Sequence, residues 1–209
     1  MSALAYLLHA YRLKDRPRTG WGLRGVADPE SVADHSWGTA LLCLVFADEA
    51  GVDTAEALEI ALVHDIAEAE TGDFARRDGA DVAGKPALEA DAMAGLAALW
   101  AGPAAERVQR RWEAYETRSG RAARFVRDMN LLDMCLQALA YARRGGGGAA
   151  DGALDEFVAS AEARVETDVG RARVAEVAAA YRASRRSEDG AAPGMPPIDG
   201  PPPASDGSD

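Results

Sequence analysis

The stretch Ala61-Leu-Val-His64-Asp65-Ile-Ala-Glu68-Ala-Glu70-Thr-Gly72-Asp73 decides how the rest of the chain is read. It packs ionisable side chains of metal-ligand type into a short helical run that stops at a glycine. Residues three and four apart share a helix face, so Glu68 lies one turn beyond His64 and Asp65 and can serve the same ion or its bound water. Upstream, Asp53-Thr-Ala-Glu56 opens the helix, and Leu58, Ile60, Ala61, Leu62 and Val63 make it apolar nearly all round, the pattern of a central helix. His64 and Asp65 therefore emerge at depth, where an unpaired carboxylate is costly and a metal or a strong partner is needed. A second histidine, His35, stands in Ser31-Val-Ala-Asp34-His35-Ser36. With His64 and Asp65 it gives the nitrogen and oxygen donors a transition metal prefers. The alternative is a structural His-Asp hydrogen bond in the core.

Outward from this stretch the chain reads as helices throughout. Leu4, Leu7, Leu8 and Tyr11 mark the apolar face of a first helix over 2–13, with His9 off that face and at the surface. Ser31 is the expected N-cap of a second helix, with Asp34 three residues on as a capping-box variant; Trp37, Leu41, Leu44 and Val45 form its expected buried stripe and Gly51 ends it. Lys85-Pro86 opens a fourth helix packed by Leu88, Met93, Leu96, Leu99 and Trp100. A fifth over 104–117 turns Val108, Trp112 and Tyr115 inward and a solvated arginine face outward. A sixth over 120–144 carries Asp128, Asn130 and Asp133 before Gly145–Gly148 stops it; no Lys-Ser or Lys-Thr follows, so these glycines are not a phosphate loop. A last helix over 153–182 covers the core or mediates a homodimer.

Composition bounds the function. The 209 residues suit one domain, placed at 1–184, and the tail at 185–209 is Pro-, Gly- and Ser-rich without aromatics, so disorder is expected there. The abundance of Ala, Leu, Glu and Arg predicts an all-α, single-domain helical bundle. A net charge of −11 argues against nucleic-acid binding, so a small anionic substrate would need a local basic pocket. Cys43 and Cys135 have no metal spacing and are expected as buried, reduced thiols. The start lacks an export-signal pattern and no apolar run spans a bilayer, so no membrane association and a cytoplasmic location are expected.

Between 14 and 30 the chain has loop chemistry with Pro17, Gly20, Gly22, Gly25 and Pro29, yet it carries Arg18, Trp21 and Arg24. Such a loop either binds a ligand or is a solvated basic segment with Trp21 tucked onto the core. Lys85, near a helix N-terminus, either meets a phosphate or is solvated.

These motifs resemble the HD-domain metal-dependent phosphohydrolases, named for their adjacent His-Asp pair. Leu13-Lys14, Arg18-Thr-Gly-Trp21, Arg24, Pro29-Glu-Ser-Val-Ala-Asp-His35, Ala61-Leu-Val-His64-Asp65, Glu68 and Gly72-Asp73 are similar to the 5'-deoxynucleotidase subgroup. Weaker matches lie at Leu99-Trp-Ala, Trp112-Glu-Ala-Tyr-Glu-Thr117 and Phe125-Val126. The resemblance implies a compact HD-domain bundle, a nucleotide substrate, an arginine of the 14–30 loop on the nucleotide phosphate, and Trp21 against the sugar, where a bulky ring excludes a 2'-hydroxyl. It also places Asn130 where the family has its last ligand, an aspartate. Asp133, one turn along the same face, is the alternative ligand, whereas Asp128 is turned away.

The chemistry expected is metal-dependent hydrolysis of 2'-deoxynucleoside 5'-monophosphates to deoxynucleoside and phosphate. His35, His64, Asp65 and Asn130 hold a divalent ion; Mn, Co, Fe, Ni and Zn all suit that set. Glu68 is the acid-base candidate, Asp73 positions substrate or water, and Arg18, Arg24 and Lys85 spread the phosphate charge. The competing readings are a phosphatase for a specialised nucleotide or other phosphorylated metabolite, and a non-catalytic nucleotide-binding HD protein.

Overall fold

A computed structural model describes residues 3–75, 84–144 and 152–187. Among them all regular structure is helical apart from one isolated bridge between Pro17 and Ser31, so the all-α expectation holds. The helices are α1 (Ala3–Ala10), α2 (Thr19–Gly22), α3 (Val32–Ala50), α4 (Thr54–Val63), α5 (Glu68–Thr71), α6 (Lys85–Ala97), α7 (Pro103–Glu116), α8 (Gly120–Arg143), α9 (Asp155–Arg164) and α10 (Asp168–Ser187), with a 3-10 turn at Tyr11–Asp15. The polar loop with Arg76, Arg77, Asp78 and Asp81, the glycine stop at 145–148 and the tail from 188 lie outside the described residues.

Local chemistry sets the helix ends that matter for the site. The Ser31 hydroxyl accepts from the Asp34 amide at 3.0 Å and the Asp34 carboxylate accepts from the Ser31 amide at 2.9 Å, a complete capping box. It fixes the first turn of α3, and with it His35. Asp53 caps α4 through the Glu56 amide at 2.7 Å, and α4 ends at His64. After α5, Gly72 adopts φ +75° and ψ 167°, a conformation open in practice only to glycine, and turns the chain so that Asp73 comes back over the site.

The central helix is α8, not α4. It packs against α3, α4, α7, α9 and α10 and buries Phe125, Met129, Leu132 and Leu139. The face of α3 turned to α4 and α8 carries Gly38, Ala40, Cys43 and Ala47, small residues that let helix axes approach closely. The expected stripe of Trp37, Leu41, Leu44 and Val45 is instead exposed, Trp37 at 67%. Leu4, Leu7, Leu8 and Tyr11 are exposed too, and Tyr6 and Leu13 are the buried residues of that segment. Leu62 and Leu88 likewise face outward. An apolar stripe at helical spacing shows that a helix has a face to cover; it does not show that the same chain covers it.

The expected last helix is broken in two. Val165 is extended, and the buried carboxylate of Asp128 accepts from the Glu166 amide at 3.0 Å and from the Thr167 amide and hydroxyl at 2.7 and 2.5 Å. The Thr167 hydroxyl then accepts from the Gly170 amide at 3.0 Å, an N-cap that starts α10. Both helices pack on α8, so they cover the core. Cys43 and Cys135 are buried free thiols, as expected. Among the described residues no helix is long and apolar enough to cross a membrane.

Candidate active site

Three donor atoms converge where α3 meets the end of α4. The Nε2 atoms of His35 and His64 are 3.3 Å apart, and Asp65 Oδ2 lies 3.2 Å from His64 Nε2 and 3.7 Å from His35 Nε2. Both imidazoles are buried. Their outer nitrogens are committed elsewhere. His64 Nδ1 stands 2.8 Å from the Ala61 carbonyl, which can only accept, so Nδ1 carries the proton of the neutral ring. His35 Nδ1 stands 2.7 Å from Asp133 Oδ2, to which it donates when that carboxylate is ionised. Two Nε2 lone pairs and a carboxylate oxygen thus face one small space, an arrangement that repels itself without a cation between. The cluster can hold a metal ion, and Asp133 and Ala61 supply the outer hydrogen bonds that orient metal-ligating histidines.

The surroundings tune these groups toward the forms a metal binds. Burial, then the Arg18 charge, brings His35 down to about 3, which keeps it neutral. Burial raises the Asp65 carboxyl, but the two histidines and Arg18 outweigh it and hold Asp65 below the usual carboxylate range. Burial pushes Asp133 up to about 7. Glu68, 1% exposed, is raised well above the ordinary value by burial and then by the charge of Asp65. Its Oε1 accepts from Lys85 Nζ at 3.1 Å, while Oε2 is buried with no partner among the described residues. A raised carboxyl with one unpartnered oxygen on the wall of the cavity beside the cluster has the properties a general acid requires.

Beside the cluster opens a cavity of about 740 Å3 lined by Arg18, Trp21, Arg24, Asp65, Glu68, Asp73, Lys85 and Asn130 together with Tyr115, Arg127 and Phe157. The sequence-predicted site residues therefore come together, His35 and His64 behind the wall and the rest on it. The size suits a small organic ligand.

An HD-domain family pattern matches residues 10–172, most of the chain. The chain belongs to the HD-domain family. This HD domain is 36% identical to the 5'-deoxynucleotidase HDDC2 of Danio rerio over 73% of its length and 74% of the relative's. It is 32% identical to the 5'-deoxynucleotidase hdd1 of Schizosaccharomyces pombe, over 69% and 74%. Among solved structures it resembles a conserved hypothetical protein from Pyrococcus furiosus, at 27% identity and a TM-score of 0.62 over 86% of this chain and 99% of that one.

Within this HD domain the cations expected to meet a phosphate are already engaged. Arg18 Nη1 lies 3.5 Å from Asp65 Oδ2 and 3.4 Å from Asp73 Oδ1. Asp73 also accepts from the Thr19 amide at 2.6 Å, tying the 14–30 loop to the turn after α5. Arg24 pairs with Glu156, and Lys85 bridges Glu68 and Glu89 at 3.1 and 3.2 Å. Glu70 turns away from the cluster to His9 and Arg12. Trp21 is both buried and on the cavity wall: its indole donates to Glu30 at 2.9 Å and its ring packs on Phe157 with centroids 4.1 Å apart.

Three residues of the site went unnoticed in the sequence. Tyr115, which reads there as a core aromatic, packs edge-on to His64 at 4.9 Å, and its hydroxyl accepts from Asn130 Nδ2 at 2.6 Å. Glu30 and Phe157 hold Trp21 from distant parts of the sequence; Glu30 lies inside the Pro29–His35 run, but nothing there ties it to Trp21. Asp133, weighed there as a substitute ligand, stands behind His35 and acts on its outer nitrogen.

Proposed function

We propose that this HD phosphohydrolase converts 2'-deoxynucleoside 5'-monophosphates to deoxynucleoside and phosphate, with one divalent ion held by His35, His64, Asp65 and Asn130. The observation that carries the reading is the pair of Nε2 atoms 3.3 Å apart with both outer nitrogens already committed. The relatives named 5'-deoxynucleotidase at 36% and 32% identity support the substrate class. Asn130 gives its NH2 to Tyr115, which leaves its carbonyl oxygen as the end free to ligate.

When bound, the ion supplies a water of lowered pKa and a charge against the phosphoryl oxygens. The chain does the rest. Glu68, whose carboxyl burial and then the charge of Asp65 push well above its ordinary value, donates a proton to the leaving 5'-oxygen, while Lys85 donates a hydrogen bond to its Oε1. Asp73 fixes Arg18 and Thr19 beside the cluster. Trp21, held by Glu30, Phe157 and Tyr141 and lining the cavity, is assigned by the family resemblance to the sugar, where its ring would exclude a 2'-hydroxyl.

We further propose a homodimer. Leu4, Leu7 and Leu8 of α1, Tyr11 of the 3-10 turn, Trp37, Leu41, Leu44 and Val45 of α3 and Leu62 of α4 are exposed apolar side chains that association would cover.

The test of substrate class is phosphate release from a panel of deoxy- and ribonucleoside monophosphates with added Mn or Co. Release from the deoxy series alone is expected. Activity confined to some other phosphorylated compound would overturn the assignment.

A further inference from the structure

Beyond the ion itself, the cavity beside the His-Asp cluster has few side-chain cations left over for an incoming anion. Apart from the ion, its wall carries six acidic side chains, Asp65, Glu68, Asp73, Glu89, Glu116 and Glu156, beside five cations. Four of those cations are committed. Arg18, Arg24 and Lys85 hold carboxylates within 4 Å, and Arg164 is engaged as well. Each neutralises protein charge and offers an incoming phosphate little net attraction.

Arg127 differs. It lies on α8 one turn before Asn130, so the two share a face of the helix. Among the described residues it has no carboxylate within 4 Å and no hydrogen bond; its guanidinium sits over the Tyr115 ring at 5.0 Å. That ring is the one that packs on His64 and holds Asn130. Arg127 also lines a second cavity of about 330 Å3 that shares Tyr115, Asn130 and Leu131 with the first, so it stands where the two meet. Stacking on an aromatic face satisfies the flat side of a guanidinium and leaves its in-plane N–H donors for oxygen acceptors, the fork that suits a phosphate.

We propose that Arg127 is the side chain that grips the phosphate group of the substrate, donating in its plane to phosphoryl oxygens beside the metal cluster. Arg18, Arg24 and Lys85 then shape the cavity and hold its carboxylates. The proposal rests on the phosphohydrolase reading for its ligand, but its test does not need turnover.

Inorganic phosphate and, separately, a deoxynucleoside without phosphate are titrated calorimetrically into the metal-loaded protein, as wild type, Arg127→Ala, Arg127→Lys and Arg110→Ala. Arg110 lies on the outer face of α7 against Glu106 and serves as the control. Metal content and circular dichroism are measured on each. Arg127→Ala should weaken phosphate about ten- to a hundredfold, the loss of one charged hydrogen-bonding partner, with Arg127→Lys recovering part of it. Deoxynucleoside binding and metal content should not move. Phosphate affinity in Arg127→Ala within about twofold of wild type overturns the proposal, as does an equal loss of deoxynucleoside binding. Should the wild type hydrolyse no deoxynucleotide and still bind phosphate through Arg127, the substrate assignment fails and this inference stands.

Discussion

Gly38 on α3 and Asp133 on α8 touch so closely that a Cβ on Gly38 would stand 2.0 Å from Asp133 Oδ1, while the other oxygen of that carboxylate orients His35. A glycine inside a helix costs roughly 1 kcal/mol against alanine. Here it leaves the space that the carboxylate behind a metal-ligating histidine occupies. Gly38→Ala should therefore push Asp133 off His35 and weaken metal binding by about ten- to a hundredfold while the helices remain, as circular dichroism would show. Metal affinity equal to wild type in the folded variant would mean that Asp133 does not set the His35 ring.

Asn130→Asp adds a negative charge to the ligand set. The variant should keep its ion through a chelator challenge that strips the wild type, with phosphatase activity kept or raised. Metal analysis after dialysis reads this directly, and equal retention would remove Asn130 from the ligand set.

Asp128 holds the α9–α10 corner with three accepted hydrogen bonds. Asp128→Ala leaves those donors without their partner, at a cost of about 2–4 kcal/mol and a melting temperature lower by roughly 5–10 °C. Gly170→Ala should act in the same direction, since its Cβ would stand 2.4 Å from the same carboxylate. A calorimetric scan in which both variants melt with the wild type would contradict this anchor.

Burial pushes the Cys43 and Cys135 thiols up to about 12. Raised thiol pKa values mean the reactive thiolate is scarce at any pH below that, so neither residue should take up iodoacetamide at pH 8 until the chain unfolds. Mass spectrometry of native and denatured samples reads the difference; labelling of the native protein would place a thiol nearer solvent than it stands here.

The metal cluster was legible because its ligands lie in two short runs and each residue type names its own chemistry. Sequence spacing brought His64, Asp65 and Glu68 together, and donor type with the family resemblance joined His35 to them. What the sequence hid was long-range. The break between α9 and α10 depends on a carboxylate that lies 38 residues before Glu166, and nothing near Val165 announces it. The face of α3 that turns inward is chosen by the closeness of α8, which favours Gly38, Ala40 and Cys43 over larger apolar residues. Arg127 carries no local signal that separates it from other helix arginines; its place in the cavity shows only in the fold.

The central claim is a metal-dependent phosphomonoesterase acting on deoxynucleotides, and the direct measurement is phosphate release from dAMP before metal removal, after it, and after Mn or Co is restored. Activity should vanish with the ion and return with it in the wild type, and stay absent in Glu68→Gln although that variant binds metal normally. Full activity in the stripped protein, or none with the ion bound, would contradict the account.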